Sequence, residues 1–147
     1  MINARVNEKL YAAKLALNAA EQADGAMQSA LLEAAVFHLV TGYRCYLREI
    51  TAVTSPSFVS AVDIAATLSA PTADFEELLN LERHSSWLSQ LLMAYSAVIA
   101  PLPPVRPVAA ELAVIDVTAQ LDVATCRTWL LECQQLIERQ REHAQEW

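Results

Sequence analysis

Polar side chains that could do chemistry gather on one stripe in the first half of the sequence. His38, Thr41, Cys45 and Arg48 recur at spacings of three, four and three residues, which places them on one side of a helix. Arg44 lies four residues before Arg48 and faces nearly the same way, despite the like charge. Because guanidinium groups donate well to carboxylates and phosphates, the pattern predicts an anionic-ligand site at His38, Arg44 and Arg48. The alternative is that these arginines form salt bridges to acidic helices elsewhere in the chain.

Motifs for metal binding and catalysis are missing from the sequence. The three histidines fall on separate segments, and no Glu-x-x-His or His-Glu-x-x-His pair occurs. The chain has two glycines, and neither a phosphate-binding glycine loop nor a Gly-x-Ser-x-Gly elbow is present. The arginine-to-histidine spacing of helical-bundle ribonucleases is also absent. We therefore expect no catalytic residue, no metal and no cofactor, which favours a non-enzymatic protein over an enzyme.

The charge of the chain argues against a nucleic-acid partner. The net charge is −7, and from residue 71 onward eleven acidic residues stand against five arginines. A phosphate backbone repels such a surface, so we expect neither DNA nor RNA to bind.

The cysteines and the apolar stretches bear on the location of the protein. Cys126 and Cys133 are seven residues apart, which is about 10.5 Å along a helix and too far for a disulfide. With Cys45 they are expected to be buried thiols in a reducing compartment. No basic region followed by an apolar run opens the chain, and the apolar stretch 87–101 is short of the ~20 residues that span a membrane. The expected location is the cytoplasm, without membrane contact.

Proline and glycine divide the sequence into the helices that must position these residues. Proline breaks a helix interior, so the six prolines mark connections; they are Pro56, Pro71, Pro101, Pro103, Pro104 and Pro107. Apolar residues recurring every three or four positions predict a first helix over residues 4–23 and a second over 27–53. Gly25 is expected to adopt the left-handed conformation between them. Gly42, inside the second helix, indicates close approach of a neighbouring helix or, alternatively, of a ligand to bare backbone.

Polar residues with side-chain oxygens predict where the later helices begin. Thr72 is a suitable N-cap for a third main helix, and Asp122 for the last helix, which runs to the end of the chain. Within the third helix, Ser85 or Ser86 offers a second start, so this helix is expected to be broken near residues 83–86.

These segments predict an all-α fold with a single domain over residues 1–147. The expected architecture is an antiparallel bundle of four main helices. A short extra helix is predicted over residues 58–68, and a long proline-containing connector over residues 105–121 is expected to be irregular.

The polar end of the chain, residues 138–147, is predicted to project beyond the core. Trp147 is the last residue, which is a poor position for the core of a monomer but suits an anchor against a second subunit. Arg139, Arg141 and Trp147 are therefore predicted to contact a second copy of the chain or another protein.

Three segments resemble a small all-helical family of unknown function from gammaproteobacteria. They are Glu33–Leu39, Ser86–Leu92 and Ile137–Trp147, and the resemblance covers nearly the whole chain. It implies a helical architecture and a cytosolic bacterial origin, and it assigns no catalytic residue. The sequence thus favours a non-enzymatic helical interaction module that acts through self-association or a protein partner. The alternative is a small anionic-ligand-binding protein or divergent enzyme with a pocket on the second helix.

Overall fold

The described part of the chain consists of helices and connections. The computed structural model describes residues 2–54, 60–100 and 121–146, and no strand occurs in these ranges. The helices are α1 (Ile2–Glu21), α2 (Gly25–Thr51), α3 (Ala61–Ala65), α4 (Ala73–Arg83), α5 (Trp87–Ile99) and α6 (Val123–Gln145). The predicted all-α class is confirmed. The predicted connector, apart from Leu121, and Trp147 lie outside the described residues.

A tight connection makes α1 and α2 an antiparallel hairpin. Gly25 has φ +55°, the left-handed conformation that was predicted for it. The Gln28 side chain donates to the carbonyl oxygens of Ala20 and Ala23, at 3.0 and 3.1 Å, and so links the first turn of α2 to the end of α1. The two helices form the most extensive contact between elements of the described structure.

Gly42 of α2 lies close against α1. A Cβ atom at this position would stand 3.2 Å from Cδ2 of Leu10 and 3.4 Å from Cβ of Lys9. The predicted close approach of a neighbouring helix at Gly42 is therefore confirmed.

Side-chain caps start the later helices where the sequence indicated. Thr72 accepts a hydrogen bond from the backbone N–H of Phe75, and Asp122 accepts one from Thr125 at 2.7 Å. Ser86 begins α5 with a capping box, because Ser86 and Ser89 each accept from the backbone N–H of the other. The predicted break between α4 and α5 is thus confirmed, and Ser86 rather than Ser85 is the cap.

Buried apolar side chains from all six helices form one core. Examples, one from each helix in chain order, are Leu17, Leu39, Ile64, Leu78, Leu88 and Leu130. The three cysteines are buried free thiols, as predicted. The core therefore joins the α1–α2 hairpin to α4, α5 and α6.

The prediction that α6 projects beyond the core from residue 138 was wrong at Gln140 and Arg141, whereas residues 142–146 are exposed. Gln140 is only 1% exposed. It extends the buried stripe of Cys126, Cys133 and Ile137 at helical spacing. The sequence pattern misled because Gln140 is polar, whereas the structure buries it against polar partners on α2 and α4.

Candidate functional site

Arg44, predicted as a ligand-binding residue, lies against α5. Its guanidinium carbon stands 4.7 Å from the centroid of the Tyr95 ring, and Nη1 donates to the Tyr95 hydroxyl at 3.2 Å. The Phe37 ring lies 6.3 Å from that of Tyr95, between centroids. A cation over an aromatic face is stabilised by the ring quadrupole, so this contact orients Arg44 toward α5.

His38 lies on the α1 side of α2. Its Nδ1 atom is buried and makes no hydrogen bond among the described residues. Burial, and next the positive charge of Lys9 on α1, lowers the pKa of His38. The Arg48 side chain is half-buried. The described contacts thus direct Arg44 to α5 and His38 to α1, and they do not bring these two predicted site residues together.

Gln140 is the centre of a polar network that joins three helices. Its Oε1 accepts from the Tyr46 hydroxyl at 2.7 Å. Its Nε2 donates to the Asp74 backbone carbonyl at 3.1 Å and to Glu77 Oε1 at 2.8 Å. Since the amide uses its acceptor and both donor directions inside the fold, α6 is held in register with α2 and α4.

Arg139 and Arg141, predicted as interaction residues, hold carboxylates of their own chain. Arg139 donates from Nη1 and Nη2 to the two oxygens of Glu77, at 3.2 and 2.7 Å. Arg141 donates from Nε and Nη2 to the two oxygens of Glu49, at 3.0 and 2.9 Å. Both pairs have the two-pronged geometry that guanidinium and carboxylate favour. The hydrogen bonds from Arg139 lower the pKa of Glu77.

A second polar cluster, which the sequence did not indicate, fixes α3. Glu82 of α4 accepts the backbone N–H groups of Ala61 and Val62, at 2.7 and 3.1 Å, and the hydroxyl of Tyr43. A carboxylate at a helix N-terminus satisfies its free donors and complements its dipole. The cluster positions α3 against α2 and α4.

Cys126 and Cys133 do not offer an activated nucleophile. Burial raises the pKa of Cys133 to about 12, and burial together with the charge of Asp122 raises that of Cys126 to about 12. Both thiols are therefore protonated at neutral pH, and the thiolate is the reactive form. Within the described ranges, no group of three or more His, Cys, Asp and Glu residues is arranged to hold a metal ion.

Two arginine contacts mark the ends of a seam along which α1 and α6 run antiparallel. At one end Arg127 donates to Glu21 at 2.6 Å and to Asn18 at 3.0 Å. At the other end Arg141 donates to Asn7 at 3.2 Å. Both contacts join α6 to α1. Between them, each of the two helices has a side that faces away from the core.

Large apolar side chains are exposed on that outer side. Tyr11 is 60%, Leu15 49% and Leu131 53% exposed. Tyr11 lies four residues after Asn7 and Leu131 lies four after Arg127, so each faces near the seam. We call the exposed surface formed by Tyr11, Leu15 and Leu131 the α1–α6 face.

Comparison with the models of known protein families assigns the chain to one family. The model of a family of unknown function, DUF6586, matches residues 1–147. The chain belongs to the DUF6586 family. DUF6586 membership confirms the resemblance to a family of unknown function, while the bacterial origin stays an expectation. Neither a curated protein nor a solved structure matches this DUF6586 chain.

None of the described helices has both the length and the apolar character needed to cross a bilayer.

Proposed function

We propose that this protein is a non-enzymatic helical interaction module that binds a protein through the α1–α6 face. The observation that carries the proposal is the exposure of Tyr11, Leu15 and Leu131 on α1 and α6, two helices that Arg127 and Arg141 join. Removing such side chains from water on binding would contribute about 25 cal/mol per Å² of apolar area. Tyrosine in particular is enriched at the energetic centres of protein interfaces.

The proposal also covers the arrangement of the helices and the location of the protein. We infer that α1, α2, α6 and the broken pair α4–α5 form the predicted antiparallel bundle. The antiparallel contacts of α1 with α2 and α6, and of Arg139 and Gln140 with Glu77, support it. The proposed location is the cytoplasm, which the free buried thiols support.

The proposal also assigns roles to the predicted interaction residues Arg139, Arg141 and Trp147. Arg139 and Arg141 position α6 through Glu77 and Glu49 and thereby hold one half of the α1–α6 face in place. Trp147 is proposed as an additional anchor for the partner, on the enrichment of tryptophan at interface centres.

The proposal is tested by the size of the native complex. We expect the protein in extracts of its host to migrate on native gels as a complex larger than the monomer. The double variant Tyr11→Lys/Leu131→Lys should migrate as the monomer, because two charges would have to be desolvated on binding. The matched control is Ala30→Lys, which adds a charge at an exposed position of α2 and should leave the complex intact.

Two results would overturn the proposal. One is a wild-type protein that migrates as a monomer in the extract. The other is a complex that survives the double variant as well as it survives the control.

A second candidate is an anion-binding contact on α2 at His38, which the described contacts do not bring together with Arg44; Arg48 is the other arginine predicted for this site. The observation that favours it is the buried Nδ1 of His38, which makes no hydrogen bond among the described residues. Buried polar atoms are nearly always paired, so either a water or a ligand would complete the hydrogen bonding of this nitrogen. Calorimetric titration with inorganic phosphate, for the wild type and for Arg44→Ala and Arg48→Ala, tests this site. Equal heats from all three proteins would exclude a role of the arginines in phosphate binding.

A further inference from the structure

We propose that α3 is a cap that opens from the fold as a unit while the other helices stay in place, and that the Glu82 carboxylate is the latch that keeps it closed. The cap contacts α4, whereas the α1–α6 face belongs to α1 and α6. This conformational device is therefore independent of the proposed function.

The N-terminus of α3 is attached to α4 through one carboxylate. Glu82 Oε2 accepts the backbone N–H of Ala61 at 2.7 Å, and Oε1 accepts that of Val62 at 3.1 Å. The hydroxyl of Tyr43 on α2 donates to the same Oε2 atom. Hydrogen bonds to a charged acceptor are stronger than those between neutral groups, so Glu82 is a strong point of attachment for the cap.

The cap is too short to be a stable helix on its own. α3 has five residues, whereas isolated helices shorter than about 12–15 residues are marginal in water. Its helical form therefore depends on docking, so the cap undocks and unwinds in one step. Its apolar attachment is also small, because Ala61 and Ile64 are buried while Val62 is 45% exposed. An element with so few buried contacts belongs to the parts of a fold that open locally.

The rest of the fold has attachments that an open cap leaves intact. Residues 66–72, which join the cap to α4, contain no helix. The start of α4 has its own cap, because the Thr72 hydroxyl accepts from the Phe75 N–H at 3.2 Å. Further along, α4 is bonded to α6 through Glu77 and Gln140. The cap can therefore move about residues 66–72 without unwinding or displacing α4.

Opening of the cap changes which groups meet water. In the closed state Tyr43 is 0% and Ile64 is 2% exposed. In the open state water replaces the two N–H donors at Glu82, and the apolar surface of the core that Ile64 covers becomes accessible. The protein thus has a closed and an open state that differ in exposed apolar surface, and the latch sets the ratio of their populations.

Native-state hydrogen exchange, followed by NMR residue by residue, tests the cap. The amides of Ile64 and Thr67 are suitable reporters, because they donate to the carbonyl oxygens of Ser60 and Ile64 rather than to Glu82. We expect both to exchange faster than the amide of Leu39 in the core of α2. Low concentrations of urea should hardly change their rates, because local opening exposes little surface. Exchange of both amides at the rate of Leu39, with the same dependence on urea, would overturn the proposal.

Glu82→Gln tests the latch. A carboxamide offers one acceptor oxygen and sets its NH2 group against an N–H donor, so the cap loses one of its two hydrogen bonds to α4. We expect the amides of Ile64 and Thr67 to exchange about tenfold faster than in the wild type. Glu76→Gln, at an exposed position of α4, is the matched control and should leave both rates unchanged. Equal rates in the wild type and in Glu82→Gln would show that Glu82 is not the latch.

Gln140→Leu separates opening of the cap from unfolding of the whole protein. The hydrogen bonds of Gln140 persist while the cap is open and are lost on global unfolding. Their removal should therefore accelerate exchange at Leu39 and leave Ile64 and Thr67 unchanged. Acceleration at Ile64 and Thr67 as large as that at Leu39 would show that the cap leaves only when the protein unfolds. This comparison decides about the cap even if the Glu82→Gln variant fails to fold.

Discussion

At the scale of single residues, Gln140 shows how one buried amide can determine where a helix lies. It is bonded to the Tyr46 hydroxyl, the Asp74 carbonyl and Glu77. Gln140→Leu keeps the side-chain volume but leaves the Tyr46 hydroxyl and the Asp74 carbonyl buried without this hydrogen-bond partner. We expect it to lower the free energy of unfolding by about 1–3 kcal/mol, measured by urea denaturation.

Tyr46→Phe is the control for this prediction. It removes one hydroxyl and also leaves the Gln140 oxygen without its donor. If the hydrogen bond is the cause, the double variant Tyr46→Phe/Gln140→Leu should lose less than the two single losses added together. Strict additivity would show that the leucine side chain destabilises the protein for a steric reason instead.

The pair of Arg139 and Glu77 predicts a dependence of stability on pH. Hydrogen bonds from Arg139, and to a lesser degree from Gln140, lower the pKa of Glu77 below its ordinary value of 4.5 in the folded protein. A carboxylate with a depressed folded pKa stabilises the fold above its unfolded pKa, and that contribution is lost as pH falls through the folded value. Between pH 7 and pH 5 the contribution of Glu77 to the free energy of unfolding is therefore constant. Its loss begins near pH 4.5.

Glu77→Gln should flatten this part of the profile. We expect the urea midpoint of the wild type to fall more steeply between pH 4.5 and pH 3 than that of the variant. Glu76→Gln, at the neighbouring exposed position of α4, is the matched control and should follow the wild-type profile. Parallel profiles for all three proteins would contradict the assigned role of Glu77.

At the scale of elements, the start of α5 is set by a local signal. The Ser86 hydroxyl accepts from the Ser89 N–H at 3.3 Å and donates to the Leu81 carbonyl at 2.7 Å, so it connects the end of α4 to the start of α5. Ser86→Ala should cost about 1 kcal/mol of unfolding free energy, the usual value for a lost N-cap. Ser85→Ala, one residue away and exposed, should change it by less than about 0.5 kcal/mol. Equal losses would mean that the cap is not specific to Ser86.

Elements with local causes could be predicted from the sequence, and contacts between distant segments could not. Thr72 and Asp122 cap helices through bonds to residues three positions away, so their side-chain type was sufficient. Gln140 bonds to partners 63 to 94 residues away, and its polarity instead suggested a solvated end of the helix. Glu82 likewise holds residues 20 to 39 positions away, and nothing in its local sequence indicates this.

The same contrast between local signals and contacts of distant segments applies to the candidate site. The spacing of His38, Arg44 and Arg48 predicted a shared stripe on α2, but the contacts of each side chain depend on α1 and α5. Tyr95, which binds Arg44, could not be paired with it from spacing. The α1–α6 face was also not predicted, because its two halves are more than a hundred residues apart and meet only when the chain folds.

At the scale of the whole molecule, α6 connects the end of the chain to its beginning. Arg141 bonds to Glu49 on α2 and to Asn7 on α1, and its guanidinium carbon lies 5.9 Å from the centroid of the Tyr46 ring. The Arg141–Glu49 pair is more buried than the Arg127–Glu21 pair at the other end of the seam. Removing one partner of a buried pair is costly because it leaves a charge without compensation. The turn of α6 that carries Arg141 is therefore part of the fold.

Two truncations separate folding from assembly. Deleting residues 138–147 removes Gln140 and Arg141 together, and we expect it to lower the free energy of unfolding by about 3–5 kcal/mol. Deleting residues 144–147 removes the exposed Ala144, Gln145 and Glu146 along with Trp147, and should change the stability of the monomer by less than about 0.5 kcal/mol. Urea denaturation at low protein concentration measures both stabilities without a contribution from self-association.

If the short deletion keeps this stability but weakens the complex, Trp147 has the anchoring role proposed for it. If the complex is unchanged, the partner binds the α1–α6 face without Trp147. A longer deletion as stable as the full chain would show that the contacts of Gln140 and Arg141 do not hold α6 in place.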